Sequence, residues 1–187
     1  NTTGINNTTT GAYSLFSNLT ANFNTAHGYN ALFANTTGAS NTAIGSYSLD
    51  ANTTAANNTA VGYASLGSNI TGASNVSVGT GALSANTYAS NNTAVGTSSL
   101  TANTTGTSNT ALGYASLLTN TTANNNTAVG FSSLQSNLTG SENVAVGRSA
   151  LVANTTGDSN IALGFNALGS NTTASNNIAL GIYALDN

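Results

Sequence analysis

A single glycine recurs along the whole chain at a fixed interval. Successive copies lie 17 residues apart, with no insertion or deletion, and eleven copies account for all 187 residues. A fixed short period is the signature of a solenoid, in which each unit packs mainly against its two neighbours. The sequence therefore predicts one repeat array over residues 1–187, as a segment of a longer fibre. The recurring glycines are Gly11, Gly28, Gly45, Gly62, Gly79, Gly96, Gly113, Gly130, Gly147, Gly164 and Gly181.

Each repeat can be numbered from position 1 to position 17, starting at Asn1. Positions 1 and 7 are Asn, position 11 is Gly and position 15 is Leu in every copy, and position 10 is Val, Leu or Ile in nine of eleven copies. The unit is too short for a two-helix repeat, which takes roughly 33–47 residues, and Asn, Thr, Ser and Gly favour turns, caps or strands over helix interiors. The sequence predicts an all-β fold, a parallel β-solenoid (β-roll or β-helix) of eleven 17-residue coils. Coils stacked ~4.8 Å apart would form a rod roughly 50 Å long.

The path of one coil follows from the pattern of its side chains. Positions 8–10 predict a strand. Because side chains alternate along a strand, we expect positions 8 and 10 to point inward and the Ala of position 9 to point outward or toward a partner chain. The glycine of position 11 should turn the chain, and positions 12–16 should form a second strand that ends on an inward Leu. At position 4, a corner, Gly and Ala alternate for much of the chain, which indicates a superimposed 34-residue period and a backbone that does not need positive φ.

The Asn of position 7 has a predicted structural role. In stacked parallel coils, identical side chains can hydrogen-bond up and down the rod, as Asn ladders do in cross-β structures. Such a ladder would add stability that the thin core cannot supply, since each coil offers one Leu, one Val-like residue and part of a Thr or Val. The predicted ladder residues are Asn7, Asn24, Asn41, Asn58, Asn75, Asn92, Asn109, Asn126, Asn143, Asn160 and Asn177.

The Asn of position 1 begins an Asn-x-Thr sequon in ten of eleven copies; the exception is Asn86, which Tyr88 follows in the place of Thr. A sequon is a surface feature in a secreted protein, and a row of glycans would keep a surface with so little charge in solution. The alternative is an Asn turn followed by a Thr ladder that stabilises the coil. Sequons at the corner are weaker candidates: Asn6, Asn7, Asn57, Asn75, Asn91 and Asn125. The predicted glycosylation sites are Asn1, Asn18, Asn35, Asn52, Asn69, Asn103, Asn120, Asn137, Asn154 and Asn171.

Charged residues make up only 3% of the chain, with one Arg and no Lys. A nucleic-acid-binding protein needs a basic footprint, so this class is excluded. A calcium site needs clustered carboxylates and a Ser nucleophile needs a base, but the four acidic residues are scattered and His27 is the single histidine. We expect no metal, no cofactor other than covalent glycans, and no enzymatic activity. No apolar run reaches the ~18 residues of a membrane-spanning helix, and cysteine is absent.

Two further rows are candidate binding surfaces. Thr at positions 2 and 3 could order water on a flat face and bind ice, although Leu19, Ile70, Leu138 and Tyr88 interrupt the row. Aromatic residues at position 12 could stack against carbohydrate, but we favour the interpretation that they fill the corner between coils. These aromatic residues are Tyr29, Tyr63, Tyr114, Phe131 and Phe165.

The segment 58–66 reads Asn-Thr-Ala-Val-Gly-Tyr-Ala-Ser-Leu and returns at 109–117 with Leu in place of Val. With the Asn-Thr-Thr-Gly that occurs in four of the eleven copies, it resembles repeats of phage and bacterial tail-fibre-like proteins. It also resembles, more distantly, the Asn-x-Val-Ala-Ile-Gly repeats in the β-roll heads of trimeric autotransporter adhesins, whose period is shorter. The resemblance covers the whole array and implies a parallel β-roll or β-solenoid, often trimeric, on an extracellular or virion fibre that attaches to surfaces.

We therefore expect a structural repeat protein of an extracellular fibre, on the surface of a cell or virion, decorated with glycans on the Asn-x-Thr row. We expect self-association into a fibre or a trimer. One alternative is an adhesin or phage tail-fibre shaft that binds surface carbohydrate, and a second is an ice-binding solenoid.

Overall fold

A computed structural model describes residues 2–186 and shows a parallel β-solenoid with one short strand in each coil. The predicted all-β solenoid of eleven coils is confirmed. All strands belong to one sheet, in chain order, and neighbouring strands are parallel. The strands are β1 (Thr8–Thr10), β2 (Thr25–His27), β3 (Thr42–Ile44), β4 (Thr59–Val61), β5 (Val76–Val78), β6 (Thr93–Val95), β7 (Thr110–Leu112), β8 (Thr127–Val129), β9 (Val144–Val146), β10 (Ile161–Leu163) and β11 (Ile178–Leu180).

The register is fixed by the repeat, because every strand residue pairs with the residue 17 places away in the next strand. In β4 and β5, for example, Thr59 pairs with Val76 and Val61 pairs with Val78. Hydrogen bonds between coils continue outside the strands. The Ala64 N–H donates to the carbonyl of Ser46 at 3.0 Å, and the Leu66 N–H donates to the carbonyl of Ala82 at 2.9 Å. The backbone ladder therefore runs around much of each coil and supplies the cohesion that the small core lacks.

The core is a column of leucines from position 15 that packs against a column of small residues from position 9. From Leu32 to Leu151, every position-15 leucine has 0% of its surface exposed, and so do Ala43, Ala60 and Ala94 at position 9. The prediction that the Leu points inward is confirmed. Small residues at position 14, such as Ser65 and Ala82, complete this interior.

The predicted orientation of the strands is wrong. Position 9 points inward, whereas positions 8 and 10 form the outer face of the sheet: Ile44 is 39% exposed, Val76 37% and Leu112 45%. The cause is the narrow space between position 9 and position 14. The hydroxyl of Ser77, a position-9 residue, donates to the carbonyl of Ala82 at 2.8 Å. A gap spanned by one hydroxyl group favours a small residue at the inner position, so position 9 is Ala or Ser from the second coil onward and the aliphatic residue lies outside.

The second strand predicted for positions 12–16 is also absent from the described residues. This segment is a turn in which positions 13 and 15 have left-handed backbone. The leucines of position 15 have φ between 48° and 53°, a conformation that is rare for a bulky residue. Left-handed residues reverse the direction of the chain within a few positions, so the Leu reaches the interior from a tight turn and not from an extended strand.

Both predictions for the glycine positions are confirmed. At position 11, φ lies between 124° and 136°. A Cβ atom on Gly62 would lie 2.7 Å from the carbonyl carbon and oxygen of Gly79 in the next coil. At position 4, by contrast, glycines such as Gly38 do not have positive φ, although a Cβ there would collide with the carbonyl of Ala55. The absence of positive φ agrees with the occurrence of Ala at this position in other coils, such as Ala55 and Ala89.

Candidate functional surfaces

The position-7 asparagines form a buried ladder along the interior. Each backbone N–H donates to the side-chain oxygen of the Asn one coil before it; the bond from Asn92 to Asn75 is 2.9 Å long. Each side-chain nitrogen donates to the position-4 carbonyl of the following coil, as from Asn92 Nδ2 to the Gly106 carbonyl at 2.9 Å. Asn24 to Asn160 in this row are completely buried. This arrangement is the ladder that the sequence predicts for position 7.

The position-1 asparagines form a second buried ladder. Asn103 Nδ2 donates to Asn86 Oδ1 at 3.0 Å and also to the carbonyl of Gly106 at 2.9 Å. The same pair of bonds recurs in neighbouring coils, for example from Asn120 and Asn137. The carbonyl of Gly106 therefore accepts hydrogen bonds from both ladders, one from Asn103 and one from Asn92.

The surface location predicted for the position-1 sequons is wrong for the interior of the array. Asn18 is 1% exposed, and the position-1 asparagines from Asn35 to Asn154 are 0% exposed. Both hydrogens on each Nδ2 atom are used inside the rod, so an attached sugar would remove a buried hydrogen bond and has no space. Asn171 in the last coil is half-buried and makes the same two bonds, and Asn1 lies outside the described residues. The alternative that these residues stabilise the coil agrees with this geometry.

The corner sequons divide into two groups. Asn7 and Asn75 belong to the position-7 ladder and use their side-chain nitrogens inside the rod. The position-6 residues of this group are exposed: Asn6, Asn57, Asn91 and Asn125. The sequence contained a signal for this division, because position 6 varies among Asn, Ser, Phe and Glu, whereas positions 1 and 7 are Asn in every copy.

The threonine row of position 2 uses its hydroxyl groups between coils. The Thr36 hydroxyl donates to the carbonyl of Thr53 at 3.0 Å, and the Thr104 hydroxyl donates to the carbonyl of Thr121 at 3.1 Å. These hydroxyl groups therefore donate their hydrogen bonds to the protein backbone. A water-ordering surface made from the position-2 hydroxyl groups would have to compete with these bonds, whereas position-3 threonines such as Thr54 and Thr105 are exposed.

The aromatic residues form exposed rows along the rod. In the first four coils, Tyr13, Tyr29, Tyr47 and Tyr63 contact one another with ring centroids 5.4–6.0 Å apart. The position-12 aromatic residues therefore do not fill a corner between coils, as the sequence favours, since Tyr29 is 44% exposed and Tyr63 is 58% exposed. The rings meet mostly edge to face, the geometry that aromatic pairs prefer. The neighbouring rings therefore cover part of each ring, and the rest is exposed.

A second aromatic row runs through the later coils and contains the single arginine. Tyr114 stacks on Phe131 at 5.2 Å, and Phe165 contacts Tyr183 at 5.1 Å. The guanidinium carbon of Arg148 lies 5.9 Å from the Phe131 ring and 5.5 Å from the Phe165 ring. These distances allow cation–π attraction. The arginine therefore bridges two aromatic pairs in a continuous row.

Few groups in this protein can titrate, and two of them have shifted pKa values. Burial raises the pKa of Asp50. Desolvation, followed by the neighbouring Tyr29, Tyr63 and Asp50, raises the pKa of Tyr47. Among residues 2–186, no three His, Cys, Asp or Glu side chains lie close enough to hold a metal ion. Over the same residues, no helix is long and apolar enough to pass through a lipid bilayer.

The chain was compared with models of protein families, with curated proteins and with solved structures, and none of them matches it.

Proposed function

We propose that this chain is a structural segment of an extracellular fibre, in which coils stack along one axis. The observation that carries this proposal is the identity of successive coil interfaces. Every internal coil offers the next one the same Asn acceptors and the same backbone donors, in one register. Such a heterologous contact does not close on itself, and contacts of this kind generate filaments.

An antibody raised against the purified protein would test this proposal on intact cells or virions of the organism that makes it. We expect the antibody to label filaments on the outside, by electron microscopy, without lysis. Labelling that appears only after the cells are broken would contradict an extracellular fibre. Negative-stain images of the purified protein should show straight rods, because one register persists through all the described coils.

A second candidate function is a fibre shaft or adhesin that binds surface carbohydrate, as the resemblance to tail-fibre-like repeats implies. The exposed aromatic rows favour it, since Tyr63, Tyr114 and Phe131 are more than half exposed. Exchange of Tyr63 and Tyr114 for Ser should abolish binding to a glycan array if the rows bind sugar. Binding that persists in this double variant would remove the aromatic rows from consideration as the binding site.

A further inference from the structure

A row of exposed asparagines lies one residue before the buried position-7 ladder. Asn6, Asn57, Asn91 and Asn125 occupy this row, and each begins an Asn-Asn-Thr sequon. Their side chains are exposed, and their φ angles are 58–63°, a region that Asn adopts more readily than most residues. The Thr of each sequon begins a strand, at position 8 on the outer face of the sheet.

We infer that these position-6 asparagines are attachment sites for N-linked glycans. The inference rests on the proposed extracellular function, because sequons are modified in secreted proteins. In the reaction, the side-chain nitrogen forms a bond to the anomeric carbon of a sugar carried by a lipid diphosphate. The bond from that carbon to the phosphate oxygen breaks, the diphosphate leaves with the electron pair, and the amide loses one proton.

The two asparagine rows differ in how much an attached glycan would destabilise the fold. In the position-1 row, both hydrogens of Asn103 Nδ2 are donated to buried acceptors. No protein hydrogen bond holds the side-chain nitrogens of Asn57, Asn91 and Asn125, so one hydrogen of each can be exchanged for a sugar without loss of a contact. A glycan on position 6 is therefore compatible with stacked coils, whereas a glycan on position 1 is not.

The spacing of the exposed sequons also fits bulky substituents. Asn57, Asn91 and Asn125 are 34 residues apart, and the coils between them carry Ser74 and Ser108 at the same position. Coils rise by ~4.8 Å, so these asparagines repeat about every 10 Å. If every coil carried a sugar, sugars on successive coils would lie only one strand spacing apart. The alternation of Asn with Ser avoids this crowding. The row would hydrate a surface that has almost no charge.

The experiment is secretion of the full chain from a eukaryotic cell that performs N-glycosylation, followed by intact mass and peptide mapping. We expect glycans on Asn6, Asn57, Asn91 and Asn125, and none on position-1 asparagines in the folded, secreted protein. Exchange of Thr59 for Val destroys only the sequon of Asn57, and position 8 carries Val naturally at Val76 and Val144. This variant should lose the Asn57 glycan and keep the glycan on Asn91.

A second variant separates modification from folding. Asn91→Ser should lose the Asn91 glycan while its circular dichroism spectrum and melting temperature stay unchanged, because Ser74 and Ser108 have the same left-handed φ at this position. Folded, secreted protein with bare position-6 asparagines, or with glycans on Asn103 and Asn120, would overturn the inference. The proposed fibre function would survive that result, since antibody labelling of intact cells or virions tests it separately.

Discussion

At position 11, two separate constraints require glycine. The backbone of Gly62 has φ of 132°, and a Cβ atom there would lie 2.7 Å from the carbonyl of Gly79. Gly62→Ala therefore requires both a strained conformation and a shift of the neighbouring coil, and we expect a loss of about 1–3 kcal/mol or more in the free energy of unfolding. Urea denaturation followed by circular dichroism would measure it.

Gly81→Ala is the matched control for that substitution. Gly81 has φ of 65° and no atom within 4 Å of its Cβ position. The same position carries Ala64 and Ala115 with φ of 51° and 53°. The control should lie within about 0.5 kcal/mol of the parent protein. Equal losses in both variants would show that the contact between coils at position 11 has no special importance.

The buried asparagine ladder makes a second prediction at the scale of single residues. Asn92→Ala removes the acceptor of the Asn109 N–H, a bond of 2.9 Å, and leaves a buried donor without a partner. The Gly106 carbonyl keeps its other donor, Asn103. We expect a loss of about 1–3 kcal/mol, measured by the same denaturation assay. Asn91→Ser, one residue earlier on the surface, should have almost no effect, and a similar loss there would contradict the distinction between the two positions.

Single residues also show how far the sequence could be interpreted. The repeat positions of Gly62, Leu66 and Asn58 never vary, and the structural role that this pattern predicts for each residue agrees with its place in the coil. The repeat position of Asn52 never varies either, but its sequon predicts a surface location and the residue is buried. A buried Asn that hydrogen-bonds to the equivalent Asn of the neighbouring coil tolerates substitution as poorly as a buried Leu does. These hydrogen bonds form only when the coils stack, so one coil's sequence does not reveal them.

At the scale of the strand, the inverted faces can be tested directly. Ala94→Leu adds volume to a fully enclosed position, and overpacking of this kind costs about 1–3 kcal/mol. Val95→Thr changes a side chain on the outer face of the sheet and should change the free energy of unfolding by less than about 0.5 kcal/mol. Thermal melting of the two variants would show which face of the strand points inward. If Val95→Thr were the more damaging change, the aliphatic residue would have to face the interior.

Hydrophobicity alone predicted the opposite orientation, because Val is buried more often than Ala in most proteins. The deciding quantity is the width of the coil, which local sequence does not reveal. Ser65 and Ser77 meet across the interior with their hydroxyl oxygens 2.7 Å apart. The turn at positions 12–16 was missed for a similar reason. Its left-handed leucines are held by bonds between coils, such as that from the Leu66 N–H to Ala82, and Leu itself gives no signal of a turn; the weak signal was Asn or Gly at position 13 in three coils, at Asn30, Gly81 and Asn166.

At the scale of the whole molecule, the scarcity of charge predicts an unusual response to pH. Within residues 2–186 no ion pair forms, so acid has no such pair to remove. The pKa of Asp50 is raised by burial. A raised pKa in the folded state means that Asp50 contributes stability below the ordinary pKa of an aspartate, and this contribution is lost as pH rises through the raised value.

We therefore expect the urea midpoint at pH 3 to equal or slightly exceed the midpoint at pH 7. Asp50→Asn should remove the increase and leave the rest of the profile flat. Acid unfolding between pH 5 and pH 3 would contradict this expectation and would point to a carboxylate that stabilises the fold in its charged form. Added salt should have little effect on either midpoint, because salt acts by screening charges that this chain mostly lacks.

The stacked coils also predict which deletions the molecule tolerates. Removal of residues 69–102 takes out two complete coils, joins Ser68 to Asn103, and keeps the order of Ala55 before Gly106 at the corner. Since a solenoid is stabilised mainly by contacts between neighbouring coils, the shortened chain should fold. Its longest dimension by small-angle X-ray scattering should fall by about 10 Å, two coil spacings.

Removal of residues 69–94 is the control, because it deletes a length that is not a multiple of 17 and leaves the eight residues 95–102 as an incomplete coil between Ser68 and Asn103. The ladder from Asn58 to Asn109 and the column from Leu66 to Leu117 can then continue only if this incomplete coil leaves the stack. This variant should have a lower urea midpoint than the deletion of two whole coils, although it removes fewer residues. If it folded as well as the deletion of two whole coils, the stability of the rod would not depend on the register of its side-chain ladders, and the repeat would need another explanation.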